Sequence, residues 1–256
     1  MRAVILAGGM GTRLREETDY RPKPMVEIGG RPILWHIMKN LAHQGLTDFV
    51  ICLGYKGNQI RDYFLNYESR INDVTVHLGE NGPSVIHGRS IEESWRITLA
   101  DTGLDTMTGG RLHAIQRHIG QERFLCTYGD GLANIDLDKL INFHSSHGKL
   151  ATVTAVQPAS RFGALDIDSN NQVVSFIEKP RSEKWINGGF FVFEPKIFDY
   201  LNRGTILERE PLEQLAREGQ LKAFKHEGFW QPMDTYREMQ DLNQIWNSNS
   251  VPWKNW

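Results

Sequence analysis

The stretch Ala3-Val4-Ile5-Leu6-Ala7-Gly8-Gly9-Met10-Gly11-Thr12-Arg13 joins an unbroken apolar run to a glycine-rich turn. A continuous apolar run such as 3–7 is typical of a strand that is buried on both faces, as in the middle of a parallel sheet. Glycines let the backbone of the turn approach a ligand closely and point its N–H groups at it. The stretch therefore predicts an α/β fold with a binding turn after its first strand.

Strand-like and helix-like patterns alternate through the rest of the first half. Further strands are predicted at 48–53, 74–78 and 124–128, and apolar residues recur at helical spacing in the segments 32–41, 60–67, 108–119 and 137–144. Such alternation implies a parallel sheet with right-handed crossovers and helices on both faces. In such folds the ligand lies beyond the carboxyl ends of the strands. The loops after the first strand and after Tyr128 are therefore the candidate binding loops.

The second half has a different pattern. Strands are predicted at 150–156, 164–168, 173–177, 190–193 and around 223–224, and helices at 208–218 and 234–246. The strands 164–168 and 173–177 are separated by four polar residues, which is a hairpin signal. No linker or internal repeat interrupts the chain. We therefore expect one domain, 1–256, with a mixed central sheet, whose second half supplies the acceptor side of the same cleft.

Charge and composition exclude several classes of protein. The 256 residues include 29 Lys and Arg against 31 Asp and Glu, a formal net charge of −2. No basic field is present to drive nucleic-acid binding, so any anion must be held by a local site. No apolar stretch approaches the roughly 18 residues of a membrane span, and the initial apolar run is too short for a signal peptide. We expect a cytoplasmic protein in which Cys52 and Cys126, each in an apolar run, are buried thiols.

The glycine turn carries the strongest chemical signal. It lacks the dinucleotide fingerprint because Leu14 occupies the third glycine position, and it lacks the Gly-Lys-Ser/Thr of a P-loop. Arg13 offers a fork for phosphate oxygens, and Lys23, held between two prolines, offers a point charge from a stiff segment. The competing interpretation is an ordinary β–α turn with solvated cations.

Two carboxylates are candidate metal ligands. Asp130 follows a buried strand on a tight Gly-Asp-Gly turn, where it is either a turn former or a ligand for a divalent cation. Asp234 either caps the last helix or is a second carboxylate for the same cation. His144 and His147, three apart on a predicted helix, have no third ligand at metal-site spacing, which favours a solvated helix face.

Three polar motifs in the second half suit a polyol phosphate. They are Arg161-Phe162-Gly163, Glu178-Lys179-Pro180 and Asn187-Gly188-Gly189. Acid, amide and backbone groups suit sugar hydroxyls, and an ammonium suits a phosphate. Each motif alone is more often a turn or a surface ion pair.

In order and spacing, these motifs resemble those of the sugar-phosphate nucleotidylyltransferases over nearly the whole chain. The resemblance implies a modified nucleotide-binding, Rossmann-like α/β fold, a three-layer sandwich with a mixed central sheet. It implies that 1–150 serves mainly the nucleotide and 151–256 mainly the sugar phosphate. It also implies a homo-oligomer, a homohexamer by this resemblance, with small-molecule substrates and neither nucleic acid nor a membrane as partner.

The resemblance also implies roles for individual residues. Arg13 and Lys23 would be the catalytic cations. The nucleotide would be bound by these two and by Leu6, Ala7, Gly8, Gly9, Met10, Gly11, Thr12, Thr108 and Arg111. The sugar phosphate would be bound by Gly163, Glu178, Lys179 and Asn187. Asp130 and Asp234 would hold Mg²⁺.

Further motifs narrow the resemblance to the members that use CTP and glucose 1-phosphate. They include Met107-Thr108-Gly109-Gly110-Arg111-Leu112 and Gly228-Phe229-Trp230-Gln231-Pro232-Met233-Asp234. The alternatives are the same chemistry on UTP or dTTP, a silent sugar-nucleotide sensor of the same fold, and a dinucleotide-dependent oxidoreductase, which Leu14 disfavours.

Overall fold

A computed structural model describes residues 1–78, 84–88, 94–159, 162–178 and 180–256. The strands of these residues are β1 (Arg2–Leu6), β2 (Glu27–Ile28), β3 (Arg31–Pro32), β4 (Asp48–Leu53), β5 (Asp73–Thr75), β6 (Val85–His87), β7 (Arg96–Asp101), β8 (Phe124–Tyr128), β9 (Gly131–Ala133), β10 (Ala151–Val156), β11 (Ala164–Ile167), β12 (Val173–Ile177), β13 (Ile186–Phe193), β14 (Leu221–His226) and β15 (Trp230–Pro232). The α-helices are α1 (Arg15–Thr18), α2 (Ile33–His43), α3 (Gly57–Leu65), α4 (Tyr67–Ile71), α5 (Thr108–Ala114), α6 (Gln116–Ile119), α7 (Leu137–His147), α8 (Glu210–Arg217) and α9 (Tyr236–Trp246). Two 3₁₀ turns span Lys23–Met25 and Pro195–Tyr200.

Seven of these strands form one mixed sheet in the order β14-β10-β13-β8-β1-β4-β7. The strand β1 lies near its centre and pairs in parallel with both β4 and β8. Only β13 runs against its neighbours in this sheet, antiparallel to β8 and to β10. The beginning of β13 therefore lies at the same edge as the carboxyl ends of β1 and β8. The predicted mixed α/β sheet is confirmed.

Helices cover both faces of the sheet, because successive side chains of a strand point to opposite sides. Ala3 and Ile5 of β1 pack into one core cluster with α2, α3, α7 and α9. Val4 and Leu6 pack into a second cluster with α5, α6 and α8. The result is the expected three-layer sandwich, with the β1 run buried on both faces.

The strand predicted at 74–78 is wrong as a member of the main sheet. Only Val74 and Thr75 of this stretch lie in a strand, β5, which pairs with β6 in a separate two-stranded hairpin, and Leu78 is 89% exposed. The strand beside β4 is instead β7, paired in parallel from Asp48↔Arg96 to Leu53↔Asp101. It escaped prediction because the β5–β6 hairpin and an irregular sequence pattern separate it from the helices α3 and α4 that follow β4. The predicted hairpin in the second half is confirmed as β11 and β12.

The two cysteines are buried and unpaired, as predicted. Burial raises the pKa of Cys52 to about 12, so its thiol stays neutral. Among the described residues, none of the helices has both the length and the apolar character of a membrane span.

The expectation for His144 is wrong, because its side chain is fully buried. Its Nδ1 lies 2.8 Å from the Thr152 hydroxyl, which also lies 2.8 Å from Nε2 of His147. Its Nε2 lies 3.2 Å from Glu194, a carboxylate that Arg123 also binds. The rings of His144 and His147 are thus held by hydrogen bonds within the protein. No group of three or more candidate metal ligands forms among the described residues.

Tryptophans surround the buried ring of His36 on α2. Nε2 of His36 lies 2.7 Å from the carbonyl of Ile28, and Trp246 and Trp253 pack edge-on against the ring. Burial, which disfavours the charged form, lowers the pKa of His36 from 6.5 to about 4. The C-terminal segment therefore packs against a neutral imidazole.

Acid should destabilise the fold through His36. Between pH 6.5 and 4 the unfolded chain binds a proton that the folded chain excludes. We expect the free energy of unfolding to be unaffected by this group above pH 7 and to fall by up to about 3 kcal/mol as the pH drops to 4. Urea unfolding across this range checks it. His36→Gln should lose that part of the slope, whereas His43→Gln, on the exposed face of α2, should keep it. Equal slopes in all three proteins would contradict the assignment.

Candidate active site

A cleft lies at the carboxyl ends of β1 and β8 and contains two adjoining cavities. The first, of about 340 Å³, is bordered by Leu6, Ala7, Gly8, Gly9, Gly11, Thr12, Arg13, Lys23, Pro24, Thr106, Met107, Thr108, Arg111, Tyr128, Gly129 and Asp130. Every residue expected at the nucleotide borders this cavity except Met10, which is exposed outside it. Gly11 has a positive φ of 64°, and its carbonyl accepts a hydrogen bond from the buried Thr18 hydroxyl, so the turn is fixed from beneath.

Arg111 holds this turn from within the protein. Its guanidinium donates to the carbonyl oxygens of Gly8 (2.9 Å), Leu53 (3.0 Å), Gly103 (2.7 Å) and Leu104 (3.0 Å) and to the Thr102 hydroxyl (2.7 Å). Burial lowers its pKa from the ordinary value, yet an arginine remains charged at neutral pH. Arg111 thus brings a positive charge to the cavity while its two terminal NH2 groups already have protein acceptors.

Gly8 and Gly54 have a role that the sequence pattern did not reveal. A Cβ on Gly8 would lie 2.2 Å from the Arg111 guanidinium, and one on Gly54 would lie 2.5 Å from it. By contrast, a Cβ on Gly9 would meet nothing within 4 Å. At position 8 the glycine makes room for a buried arginine, in addition to any close approach to a ligand.

Lys23 is the centre of the cleft's electrostatics. Its ammonium lies 2.5 Å from Oδ2 of Asp130 and 2.5 Å from Oδ1 of Asp234. Only 9% of its side chain is exposed. Arg13, largely exposed, reaches Asp234 at 2.8 Å. We refer to Lys23, Asp130 and Asp234 together as the lysine junction.

The chain brings the two aspartates together through a short strand pair. Strands β9 and β15 pair with Pro232 opposite Gly131, and the Met233 N–H donates to the Asp130 carbonyl at 2.8 Å. The cap of α9 is Thr235, which forms a capping box with Glu238. Asp234 is therefore not the helix cap, and its carboxylate faces Lys23 instead. This convergence, across 104 residues of sequence, is what the motifs alone left open.

The junction keeps Lys23 charged. Burial alone lowers the pKa of the Lys23 ammonium, but Asp130 and Asp234 more than compensate, so the net effect is a raised pKa. Two cations, Lys23 and Arg13, face two carboxylates, so these four side chains sum to zero charge. A polyanionic ligand carries more negative charge than Arg111, the remaining cation at the first cavity, offsets, and it therefore favours a further cation in the cleft.

The second cavity, of about 310 Å³, adjoins the first. It is bordered by Arg13, Thr127, Tyr128, Asp130, Gly131, Asn187, Gly188, Gly189, Phe190, Trp230, Pro232 and Asp234. Asn187 to Gly189 lie inside the first half of β13 and not before the strand, because β13 begins at Ile186. The Asn187 side chain accepts the Gly189 N–H at 2.8 Å. Arg13, Tyr128 and Asp130 border both cavities.

The remaining sugar-side residues stand apart. Gly163 and Glu178 adjoin each other at the β11–β12 hairpin, where a Cβ on Gly163 would lie 3.2 Å from the Glu178 carboxylate. Within the described ranges, neither residue borders the two cavities. Lys179 lies outside the described residues, as does Arg161.

Comparison with known proteins decides the family. The family description "Nucleotidyl transferase" matches residues 2–244. The chain belongs to the nucleotidyl transferase family. A glucose-1-phosphate cytidylyltransferase from Salmonella typhi is 54% identical to this transferase over 259 residues, covering 100% of both chains. A mannose-1-phosphate guanylyltransferase catalytic subunit beta from Drosophila melanogaster is 30% identical, covering 91% of this chain and 60% of the relative. The crystal structure of HddC from Yersinia pseudotuberculosis superposes with a TM-score of 0.69 at 25% identity, covering 96% and 99% of the two chains.

The carboxylates of the transferase fit a magnesium ion by their donor chemistry. Magnesium typically takes one or two carboxylates and completes its shell with waters and substrate phosphates. Asp130 and Asp234 offer two such carboxylates that already converge on one cation, Lys23. No larger cluster of acidic, histidine or cysteine ligands occurs in the described part of the chain.

The role of Gly8 can be tested by comparing two glycines. We expect Gly8→Ala to lower the free energy of unfolding by about 1–3 kcal/mol, because the new methyl displaces a packed, buried guanidinium. Gly9→Ala is the matched control and should stay within about 0.5 kcal/mol of the wild type. Chemical denaturation of the ligand-free proteins measures both values. Equal stability of the two variants would show that Arg111 does not need the space at Gly8.

Proposed function

We propose that this transferase moves the cytidylyl group of CTP to α-D-glucose 1-phosphate and releases CDP-glucose and pyrophosphate. The observation that carries the proposal is the 54% full-length identity to a glucose-1-phosphate cytidylyltransferase. A guanylyl-transferring relative is much less similar, at 30%. Two adjoining cavities that share Arg13 and Asp130 suit a reaction that joins two phosphate-bearing substrates.

In this proposal the first cavity takes CTP and the second takes glucose 1-phosphate. Residues 1–150 then serve mainly the nucleotide, with Thr108 and the glycine turn around it. Residues 151–256 serve mainly the sugar phosphate, with Asn187 at the second cavity and Gly163, Glu178 and Lys179 on the sugar side. Arg111 contributes by fixing the turn from beneath.

The chemistry follows from charge. A phosphate oxygen of the sugar phosphate attacks the α-phosphorus of CTP in line, and pyrophosphate leaves. This oxygen is already anionic, so no general base is required. The barrier lies in bringing two polyanions together, and positioning and charge neutralisation lower it. Lys23 holds the α-phosphate from its stiff proline-flanked segment, and Arg13, at the boundary of both cavities, binds the triphosphate.

Asp130 and Asp234 would hold Mg²⁺, which supplies neutralisation of phosphate charge when it is bound. Lys23, Arg13, Asp130 and Asp234 sum to zero charge and Arg111 adds a single positive charge, which supports a further cation beside a triphosphate. We further propose that the enzyme works in the cytoplasm on small-molecule substrates and supplies CDP-linked deoxysugars for surface polysaccharide.

We also propose that the enzyme is a homo-oligomer, with a hexamer suggested by the family. The exposed apolar side chains of the β11–β12 hairpin support this, since such patches mark protein contacts. Sedimentation equilibrium tests it, and a monomer at all concentrations would contradict it.

The choice of nucleotide is the first test. In the presence of glucose 1-phosphate, we expect pyrophosphate release from CTP to be at least about tenfold more efficient, by kcat/KM, than from UTP, dTTP, GTP or ATP, a difference of roughly 1.4 kcal/mol in transition-state binding. A preference for UTP or dTTP would replace this proposal with its alternative. No release with any of the five would favour a silent sensor.

The lysine junction is the second test. We expect Lys23→Ala and Asp130→Asn each to lower kcat by at least about 100-fold, because each removes charge stabilisation from the transferring phosphoryl group. Far-UV circular dichroism should show an intact fold. The control is Lys139→Ala, which removes an exposed lysine 3.0 Å from Asp136 at the start of α7. Near-normal turnover in either junction variant would refute the roles given to Lys23 and Asp130.

A further inference from the structure

Tyr128 occupies the boundary between the two cavities. It is the last residue of β8, and it borders both cavities of the cleft. Its ring packs edge-on against Phe191, with centroids 6.1 Å apart. Gly189, at a positive φ of 79°, leaves room for the ring, since a Cβ there would lie 2.6 Å from it. The Tyr128 ring therefore separates the two cavities, and we refer to it as the partition. The contacts of its hydroxyl group fix its position.

Glu208 holds the hydroxyl of this ring. The Tyr128 hydroxyl donates a short hydrogen bond to one carboxylate oxygen of Glu208. The other oxygen accepts the Thr108 hydroxyl at 2.6 Å. Asn187 borders the second cavity together with Tyr128. The Glu208 carboxylate thus links Thr108, the first residue of α5, to the Tyr128 ring.

The segment that carries Glu208 is docked firmly on α5. The Gly110 N–H donates to the Thr205 carbonyl at 3.1 Å. A Cβ on Gly109 would lie 2.8 Å from that same carbonyl, and one on Gly110 would lie 2.3 Å from the Arg203 carbonyl. The Leu207 N–H in turn donates to the Thr108 hydroxyl at 3.0 Å. Because Gly109 and Gly110 have no side chains, the backbone of the segment that carries Glu208 can pack directly against α5.

We propose that Glu208 is a positioning residue, which fixes the Tyr128 ring between the nucleotide and sugar-phosphate cavities and ties it to Thr108. The proposal rests on the proposed function for the identity of the two ligands. Glu208 borders neither cavity, so it acts through Tyr128 and Thr108. A carboxylate suits this task because it accepts two O–H donors at once, one on each oxygen.

Misplacement of the partition should affect turnover more than binding. In-line transfer depends on the alignment of the attacking oxygen with the α-phosphorus, and a displacement of about 1 Å costs on the order of 100-fold in rate. Among the groups proposed to surround the nucleotide, Glu208 contacts Thr108 and Tyr128 but neither the glycine turn nor the lysine junction, on which ground-state affinity mainly depends. The expected signature is a lowered kcat with a nearly unchanged KM for the nucleoside triphosphate.

The experiment compares Glu208→Ala, Glu208→Gln and Tyr128→Phe with the wild type. We expect Glu208→Ala and Tyr128→Phe each to lower kcat by about 10–100-fold, with the nucleotide KM within threefold. Glu208→Gln, which keeps one acceptor oxygen, should fall between Glu208→Ala and the wild type. Because Glu208 acts partly through Tyr128, the double variant should lose less than the product of the single losses.

The chain offers a matched control far from the cleft. Glu218 accepts the Tyr200 hydroxyl at 2.6 Å and the Gln214 amide at 2.8 Å, the same arrangement of one glutamate and two donors. Glu218→Ala and Tyr200→Phe should leave kcat within twofold. Thermal midpoints of all variants separate a positional effect from a loss of folded protein.

Three results would overturn the proposal. They are kcat within twofold of the wild type in both Glu208→Ala and Tyr128→Phe, strictly multiplicative losses in the double variant, and losses that match the fraction of unfolded protein. The assays use whichever nucleoside triphosphate and sugar 1-phosphate the wild type turns over. A preference other than CTP would then refute the proposed function while leaving the Glu208 result to stand by itself.

Discussion

The contact of one ammonium with two carboxylates, Lys23 with Asp130 and Asp234, is the interaction on which the cleft depends. The three residues come from different parts of the chain. Lys23 lies on a 3₁₀ turn, Asp130 follows β8, and Asp234 follows β15. A lysine is tolerated at this depth because both carboxylates compensate for its lost hydration. The same carboxylates are the residues proposed to hold a metal ion. The rest of the fold serves to bring these three side chains to one edge of the sheet.

A buried arginine and two glycines shape the first cavity at that edge. Arg111 draws together the Gly8 carbonyl and the segment after β7, and Gly8 and Gly54 provide the space for it. The turn is thus set by a cation within the protein, whereas Lys23 and Arg13 are the cations that face the cavities. A single reversed strand, β13, allows the second half of the chain to reach the same edge, with Asn187 beside Tyr128.

The sequence predicted the sheet better than it predicted the site. The apolar runs of β1, β4 and β8 predict buried parallel strands, and all three strands lie where they were expected. The pattern failed at β7, because the β5–β6 hairpin separates this strand from the crossover helices α3 and α4. Convergence of Asp130 with Asp234 could not be deduced, because it depends on the three-residue pairing of β9 with β15. Gly8 and Arg111 show a further limit: a glycine that makes room for a distant side chain looks the same in sequence as one that binds an anion.

The most direct test of the lysine junction is a crystal structure with a non-hydrolysable CTP analogue and Mn²⁺ in place of Mg²⁺. The account predicts one anomalous peak within about 2.5 Å of a carboxylate oxygen of both Asp130 and Asp234, together with analogue phosphates. It also predicts that the Lys23 ammonium has moved from the carboxylates to an α-phosphate oxygen. A manganese ion bound elsewhere, with Lys23 still between the two aspartates, would contradict it.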